Sequence, residues 1–167
     1  MHTDASYLPV PPRFFAIQTF RPDRFGGGLS LFIRLADVLA EFTPSEIELL
    51  STRPVEIRVP AEFRSGQDET CIRGTILSSR TDKYNNRLIR YRSDIILHNI
   101  DNSNTTLDAE FRHVLMKLHR LISCESSSSS DRFVKSVHLR ANQIILVDNS
   151  TWLHGRTKIL DSERHLV

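Results

Sequence analysis

A chain of 167 residues is long enough for one domain with a substantial core and too short for two comfortable ones. Hydrophobic residues at 40% and charged residues at 25% suit an ordinary globular chain, and a net charge of +2 with scattered basic residues argues against nucleic-acid and membrane partners. No apolar run reaches the roughly 18 residues of a membrane span, no basic segment leads into an apolar one as in a secretory leader, and two cysteines, Cys71 and Cys124, make neither a disulfide framework nor a zinc site, which fits a cytoplasmic setting.

In chain order, His2-Thr3-Asp4 is followed by a proline-broken stretch, Pro9 to Pro12, and then by Phe14 to Phe20, an apolar run that reads as a buried strand. Gly26-Gly27-Gly28 marks a turn that needs bare backbone. Leu29 to Leu35 predicts a strand, or a strand passing into a helix, and Ala36 to Phe42 a short helix. Thr43, Pro44 and Glu46 combine a capping box with proline at the first helical position, so a second helix starts there. Val55 to Val59 alternates apolar and charged residues as a half-buried strand does. Further strands are expected at Cys71–Ser78 and Arg87–Tyr91, and the longest helix from about Thr106 to Ile122, where Leu107, Phe111, Val114 and Leu118 form one stripe. Ser126 to Ser130 is a low-complexity loop. Phe133–Leu139 and Gln143–Val147 read as strands, and Asp148-Asn149-Ser150 as the turn leading into Trp152-Leu153-His154-Gly155-Arg156. Many short strands and few helices, without repeats, predict a mainly β single domain over 1–167 of the jelly-roll or barrel kind.

The chemistry is concentrated at the two ends. In a strand, residues i and i+2 share a face, so His2 and Asp4 can converge on one ion. A His-x-Asp triplet alone is more often an accident of a polar surface, and a lone His154 more often a buried ring satisfied by one backbone group. Together, two imidazoles and a carboxylate match the facial triad that holds ferrous iron with adjacent positions open for oxygen chemistry. The same donors can hold zinc for hydrolysis, but no general base stands near either motif. Trp152 reads as core packing, and His98, His113, His119, His138 and His165 lack metal-ligand spacing. Arg13, Arg21 and Arg24 read as residues of solvated edges.

His2-Thr3-Asp4, the proline-rich segment after it, the Gly-Gly turn and Asp148-Asn149…Leu153-His154-Gly155-Arg156 resemble, in order and separation, the taurine dioxygenase and clavaminate synthase-like superfamily. Arg90-Tyr91-Arg92-Ser93-Asp94-Ile95 is similar to the clavaminate synthase-like branch. The resemblance implies a double-stranded β-helix (jelly-roll) core with Fe(II) held by His2, Asp4 and His154. It also implies 2-oxoglutarate as cosubstrate, with its far carboxylate on Arg164 and a hydroxyl contact from Ser30. Arg156, beside the distal ligand, is the candidate for substrate contact. The implied reaction consumes O2 and 2-oxoglutarate, releases succinate and CO2, and oxidises, most often hydroxylates, a small amino-acid-derived or carboxylate-bearing metabolite. In four respects this chain departs from the pattern: its first ligand directly follows Met1, it stops at Val167 where the family tends to continue with a second basic residue and a closing strand, Asn142-Gln143 replaces a usual Gly-Asp turn, and Ile159 stands where an aromatic residue is common. The short ends leave an alternative, an inactive or incomplete fragment or subunit that needs a partner chain, in a homo- or hetero-oligomer.

Overall fold

A computed structural model describes residues 1–64, 70–81, 87–96, 109–123 and 132–166. Among them the elements are β1 (Phe14–Arg21), β2 (Ser30–Arg34), α1 (Leu35–Leu39), α2 (Pro44–Thr52), β3 (Pro54–Arg58), β4 (Cys71–Thr75), β5 (Leu77–Thr81), β6 (Arg87–Ile89), α3 (Ser93–Ile96), α4 (Ala109–Ile122), β7 (Val134–Val137), β8 (Ile144–Asp148), β9 (Trp152–Arg156) and β10 (His165–Leu166). Two antiparallel three-stranded sheets, ordered β10-β1-β8 and β7-β2-β9, make the β core, with the pairs β3-β4 and β5-β6 beside it. The expected mainly β jelly-roll core is therefore observed as small antiparallel sheets.

Strand alternation divides the β7-β2-β9 sheet into two working faces. Ile33 and its partner Leu153 turn to the face that joins Leu35, Val38, Leu50, Phe111, Leu115 and Leu118 in the main hydrophobic core. Phe32 and Ser30, with their partners His154 and Arg156, turn to the other face, toward β1. There the Phe15 ring lies 4.4 Å from the His154 ring, and Ile17 and Leu166 close the same cavity from the opposite sheet. One face thus builds the core with α1, α2 and α4; the other is left to the site.

Helix α2 starts as its sequence dictates. The Thr43 hydroxyl accepts the Glu46 N–H at 3.2 Å, while Glu46 accepts the Thr43 N–H at 2.7 Å, with Pro44 at the first helical position. The same Glu46 ties α2 to α4, since Lys117 donates to both carboxylate oxygens at 2.8 Å. The Lys117 ammonium, followed by the Thr43 N–H, holds the Glu46 carboxyl below its ordinary range.

Several element boundaries differ from the expectations. The strand at Leu29–Leu35 passes into helix at Leu35, one residue early, and that helix stops at Leu39 rather than Phe42. The strand expected over Cys71–Ser78 breaks at Ile76, a fully buried residue whose carbonyl accepts the Arg90 N–H at 2.9 Å. Trp152 is half-buried under Lys135 rather than in the core. The first turn expected for the long helix (106–108), the serine run 126–130, Cys124 and His98 lie outside the described residues.

Replacing Lys117 by Met keeps the stem packed beside Phe42 and removes the ammonium. Urea unfolding at pH 7 should show a loss of about 1 kcal/mol relative to the parent. Because the carboxyl of Glu46 is depressed in the folded chain, that gap should close as acid protonates it, below the usual carboxylate range.

Candidate metal centre and anion site

His2 holds its place through a reciprocal pair of backbone hydrogen bonds with His154, each 2.8 Å, and it is also bridged to Arg92. Partners across an antiparallel bridge project to the same side, so both imidazoles point into one space. Beyond His2 the chain does not continue as a strand: Asp4 to Tyr7 form a turn, with Ala5 at φ 52°. The shared-face expectation for His2 and Asp4 is therefore met by a bridge followed by a turn. Oδ1 of Asp4 stands 3.4 Å from Nε2 of His2 and 3.3 Å from Nε2 of His154. One ligand atom from each residue lies within 4.8 Å of the others.

These distances suit a single ion, because adjacent ligand atoms each about 2.1 Å from a metal stand roughly 3 Å apart. The hydrogen bond from His154, then that from His2, holds the Asp4 carboxyl well below its usual range, so it is an anion at any ordinary pH. Burial pushes the His154 imidazole down, favouring the neutral form that binds metal. Nδ1 of His154 is buried without a hydrogen-bond partner among the described residues. Packing against Phe15 and His2 therefore orients this ring, where many metal-binding histidines use a carboxylate.

A cavity of about 440 Å³ opens beside the triad, lined by His2, Asp4, Ile17, Ser30, Phe32, His154, Gly155, Arg156 and Leu166. Ser30 and Arg156 are register partners on β2 and β9, so the structure brings them together as neighbours of the triad. Arg164 is not among these lining residues; it stands against Gly28, two residues before Ser30, and its charge acts on Arg156. Its Nε and Nη1 are buried without partners among the described residues, and its guanidinium rests on the bare backbone of Gly28 (φ +63°), where a Cβ would collide with it. Burial depresses the Arg164 guanidinium, and burial together with the nearby Arg164 charge depresses Arg156. An unpaired buried guanidinium is costly, and a carboxylate that presents two oxygens in a plane relieves that cost.

Sequence reasoning passed over the residues that brace the site. Asp23 is 5% exposed and accepts four backbone N–H groups, from Phe25, Gly27, Leu160 and Asp161, locking the glycine turn to the segment that carries Arg164. Its position four residues before Gly27 was the available signal. Arg24 does more than cover an edge: it grips buried Asp161 through Nε at 2.6 Å and Nη2 at 3.0 Å. Arg21 pairs with Glu163 and Arg13 with Asp148, both more exposed. His113, His138 and His165 are exposed and stand apart from the triad, while His119 meets the buried Tyr91 hydroxyl at 2.9 Å.

The sequence profile described as the Taurine catabolism dioxygenase TauD, TfdA family matches residues 1–167. No curated protein matches the sequence. Among solved structures, an asparagine oxygenase in complex with Fe(II), 2S,3S-3-hydroxyasparagine and succinate superposes with a TM-score of 0.71 at 18% identity, over 99% of this chain and 47% of its own. The non-heme iron oxygenase OrfP in complex with Fe and alpha-ketoglutaric acid gives 0.69 at 16%, over 99% and 46%. A putative alpha-ketoglutarate dependent 2,4-D dioxygenase from Burkholderia xenovorans gives 0.71 at 18%, over 99% and 64%. The chain thus spans about half the length of the first of these and just under two thirds of the last. With the profile matched end to end and the jelly-roll neighbours agreeing, the chain belongs to the TauD, TfdA family of dioxygenases.

Proposed function

We propose that residues 1–167 form a single oxygenase core domain whose His2, Asp4 and His154 hold Fe(II), with 2-oxoglutarate bound beside it. The observation that carries this reading is the convergence of one carboxylate oxygen on two Nε2 atoms, at 3.4 and 3.3 Å, with all three ligand atoms within 4.8 Å of one another, beside a cavity lined by Arg156. Bound there, iron and 2-oxoglutarate would supply the oxidising power for hydroxylation, with succinate and CO2 as by-products.

The chain's own residues do the rest. Arg164 offers two unpaired nitrogens to the far carboxylate of 2-oxoglutarate, and the Ser30 hydroxyl lines the approach. Arg156, on the cavity wall, meets a carboxylate of the substrate. Arg92 is bridged to His2, which puts its side chain on the same side as the imidazoles, and it pairs with Asp94 at 2.9 and 3.0 Å. A cation and an anion side by side suit an amino-acid-derived metabolite, whose amino and carboxylate groups carry the opposite charges. Ile17, Phe32 and Leu166 keep the cavity apolar and restrict water near the reacting carbon. Among the described residues no helix is long and apolar enough to cross a membrane. We place the enzyme in the cytoplasm, whose reducing conditions keep iron ferrous and the exposed Cys71 a thiol.

A second reading is an incomplete subunit that needs a partner chain. It is favoured by the outer face of the β10-β1-β8 sheet, where Phe14 (54%), Ile144 (64%) and Leu146 (69%) are exposed. Light scattering discriminates the two, since an active monomer leaves the second nothing to explain.

Anaerobic addition of Fe(II) and 2-oxoglutarate should produce the weak visible charge-transfer band of the chelate, and aerobic turnover with substrate should release succinate. His154→Ala should abolish both, and unchanged turnover in that variant rules the triad out. Gly28→Ala, whose Cβ displaces the Arg164 guanidinium, should raise the 2-oxoglutarate KM by about tenfold or more, while metal affinity in its absence stays at the parent value.

A further inference from the structure

We propose that Asn149 is the positioning residue of Asp4, an inference that rests on the metal-site reading above. Asp4 is the weakly supported member of the triad. His2 is fixed by its double hydrogen bond to His154, and His154 lies within β9. Thr3 is fixed too: its N–H reaches the Tyr91 carbonyl at 2.7 Å, and its hydroxyl accepts the Tyr91 N–H at 2.9 Å. Asp4 has no ladder partner, stands in a turn beside Ala5 at φ 52°, and its side chain is 44% exposed. A turn residue outside the strand ladder needs some other tether to hold its side chain in place.

The Asn149 side chain supplies the tether. Oδ1 accepts the Asp4 N–H at 2.7 Å, and Nδ2 donates to the Asp4 carbonyl at 3.0 Å and to the Pro12 carbonyl at 2.9 Å. Its own backbone N–H donates to the Arg13 carbonyl at 2.7 Å, and the residue is 1% exposed. Both peptide groups of Asp4 are thus read by one amide, and both Nδ2 hydrogens are spent. Only a short primary amide offers one acceptor and two donors at this reach. Asn149 also sits on the turn between β8 and β9, five residues before His154, so one hairpin carries one ligand and grips another. A buried asparagine that merely satisfied its own turn would bond to residues near it in sequence; the contacts of this side chain go to positions 145 and 137 residues away.

The test uses Co(II) in place of Fe(II), with affinity read from its absorption and folding from the thermal midpoint without metal. Asn149→Asp is nearly isosteric but sets a carboxylate against the carbonyls of Asp4 and Pro12. It should weaken Co(II) binding by about tenfold to a hundredfold. Leu118→Ala, in the core, should lower the midpoint without changing the affinity of the folded protein, which separates positioning from stability. Parent-like affinity in folded Asn149→Asp, within about twofold, overturns the proposal. If that variant does not fold, Asn149→Ser, which keeps an acceptor and loses the amide donors, is read by the same ratio. Failure of both to fold also overturns it, because Asn149 would then belong to the fold and not to the metal site. A parent that binds no Co(II) overturns the triad itself, an outcome distinct from parent-like variants.

Discussion

Two hydrogen bonds between His2 and His154, N–H to carbonyl in each direction at 2.8 Å, fasten the N-terminal segment to β9. Everything at the site depends on this fastening, because the ligands come from opposite ends of the chain and no single element carries all three. The sheets prepare it. β1 pairs with both β8 and β10, so strands far apart in sequence enclose one cavity, and β9 presents His154 to that cavity while Leu153 anchors it in the core. Gly155 contributes by lacking a side chain: the Met1 sulfur lies 2.8 Å from where its Cβ would stand, so the N-terminal segment lies close against β9. The candidate metal centre is thus a consequence of strand pairing, and its two imidazoles share a face because their backbones share a bridge.

What the sequence revealed and what it hid follow from the range of the interactions involved. The capping box at Thr43–Glu46 was legible because its donors and acceptors lie within four residues, and the apolar stripe of α4 because helical periodicity is local. β1 and β8 match their expected spans within a residue, but the buried strand expected at Phe14–Phe20 is buried on one face only. Phe14 and Phe20, like Ile144 and Leu146 of β8, are exposed, because an apolar run marks a strand without showing whether both faces are covered. The break at Ile76 was not legible, because it reflects a hydrogen bond to Arg90 that no local pattern announces. At the site, residue types and order pointed to the triad. The geometry that unites it does not follow from a strand: Asp4 swings in on a turn, with an alanine at positive φ where glycine would have signalled it. Asn149 read as a turn residue within the block that carries the resemblance, and Asp23 drew no reading, since the partners that give each its role lie far along the chain.

The arrangement of carboxylates around the cavity decides which charges remain free inside it. Asp161 is held by Arg24, Glu163 by Arg21 and Arg24, Asp148 by Arg13, and Asp23 is spent on backbone N–H groups. Each neutralises or anchors something outside the cavity. Arg156 and Arg164, by contrast, have no carboxylate within ion-pair distance among the described residues. Burial and then the Arg164 charge depress Arg156, while burial depresses Arg164 and the more distant Asp23 charge partly offsets this. Two like charges left close together and partly buried repel, and a bound anion relieves that repulsion. A divalent metal on the triad leaves the site more positive still, because Asp4 offsets only one of its two charges. A dianionic 2-oxoglutarate, bound as proposed, would not exhaust that excess together with the two guanidinium groups. On the proposed reading, the remaining positive charge would favour a substrate that brings a carboxylate of its own, and Arg156, on the cavity wall beside His154, would be the cation to receive it.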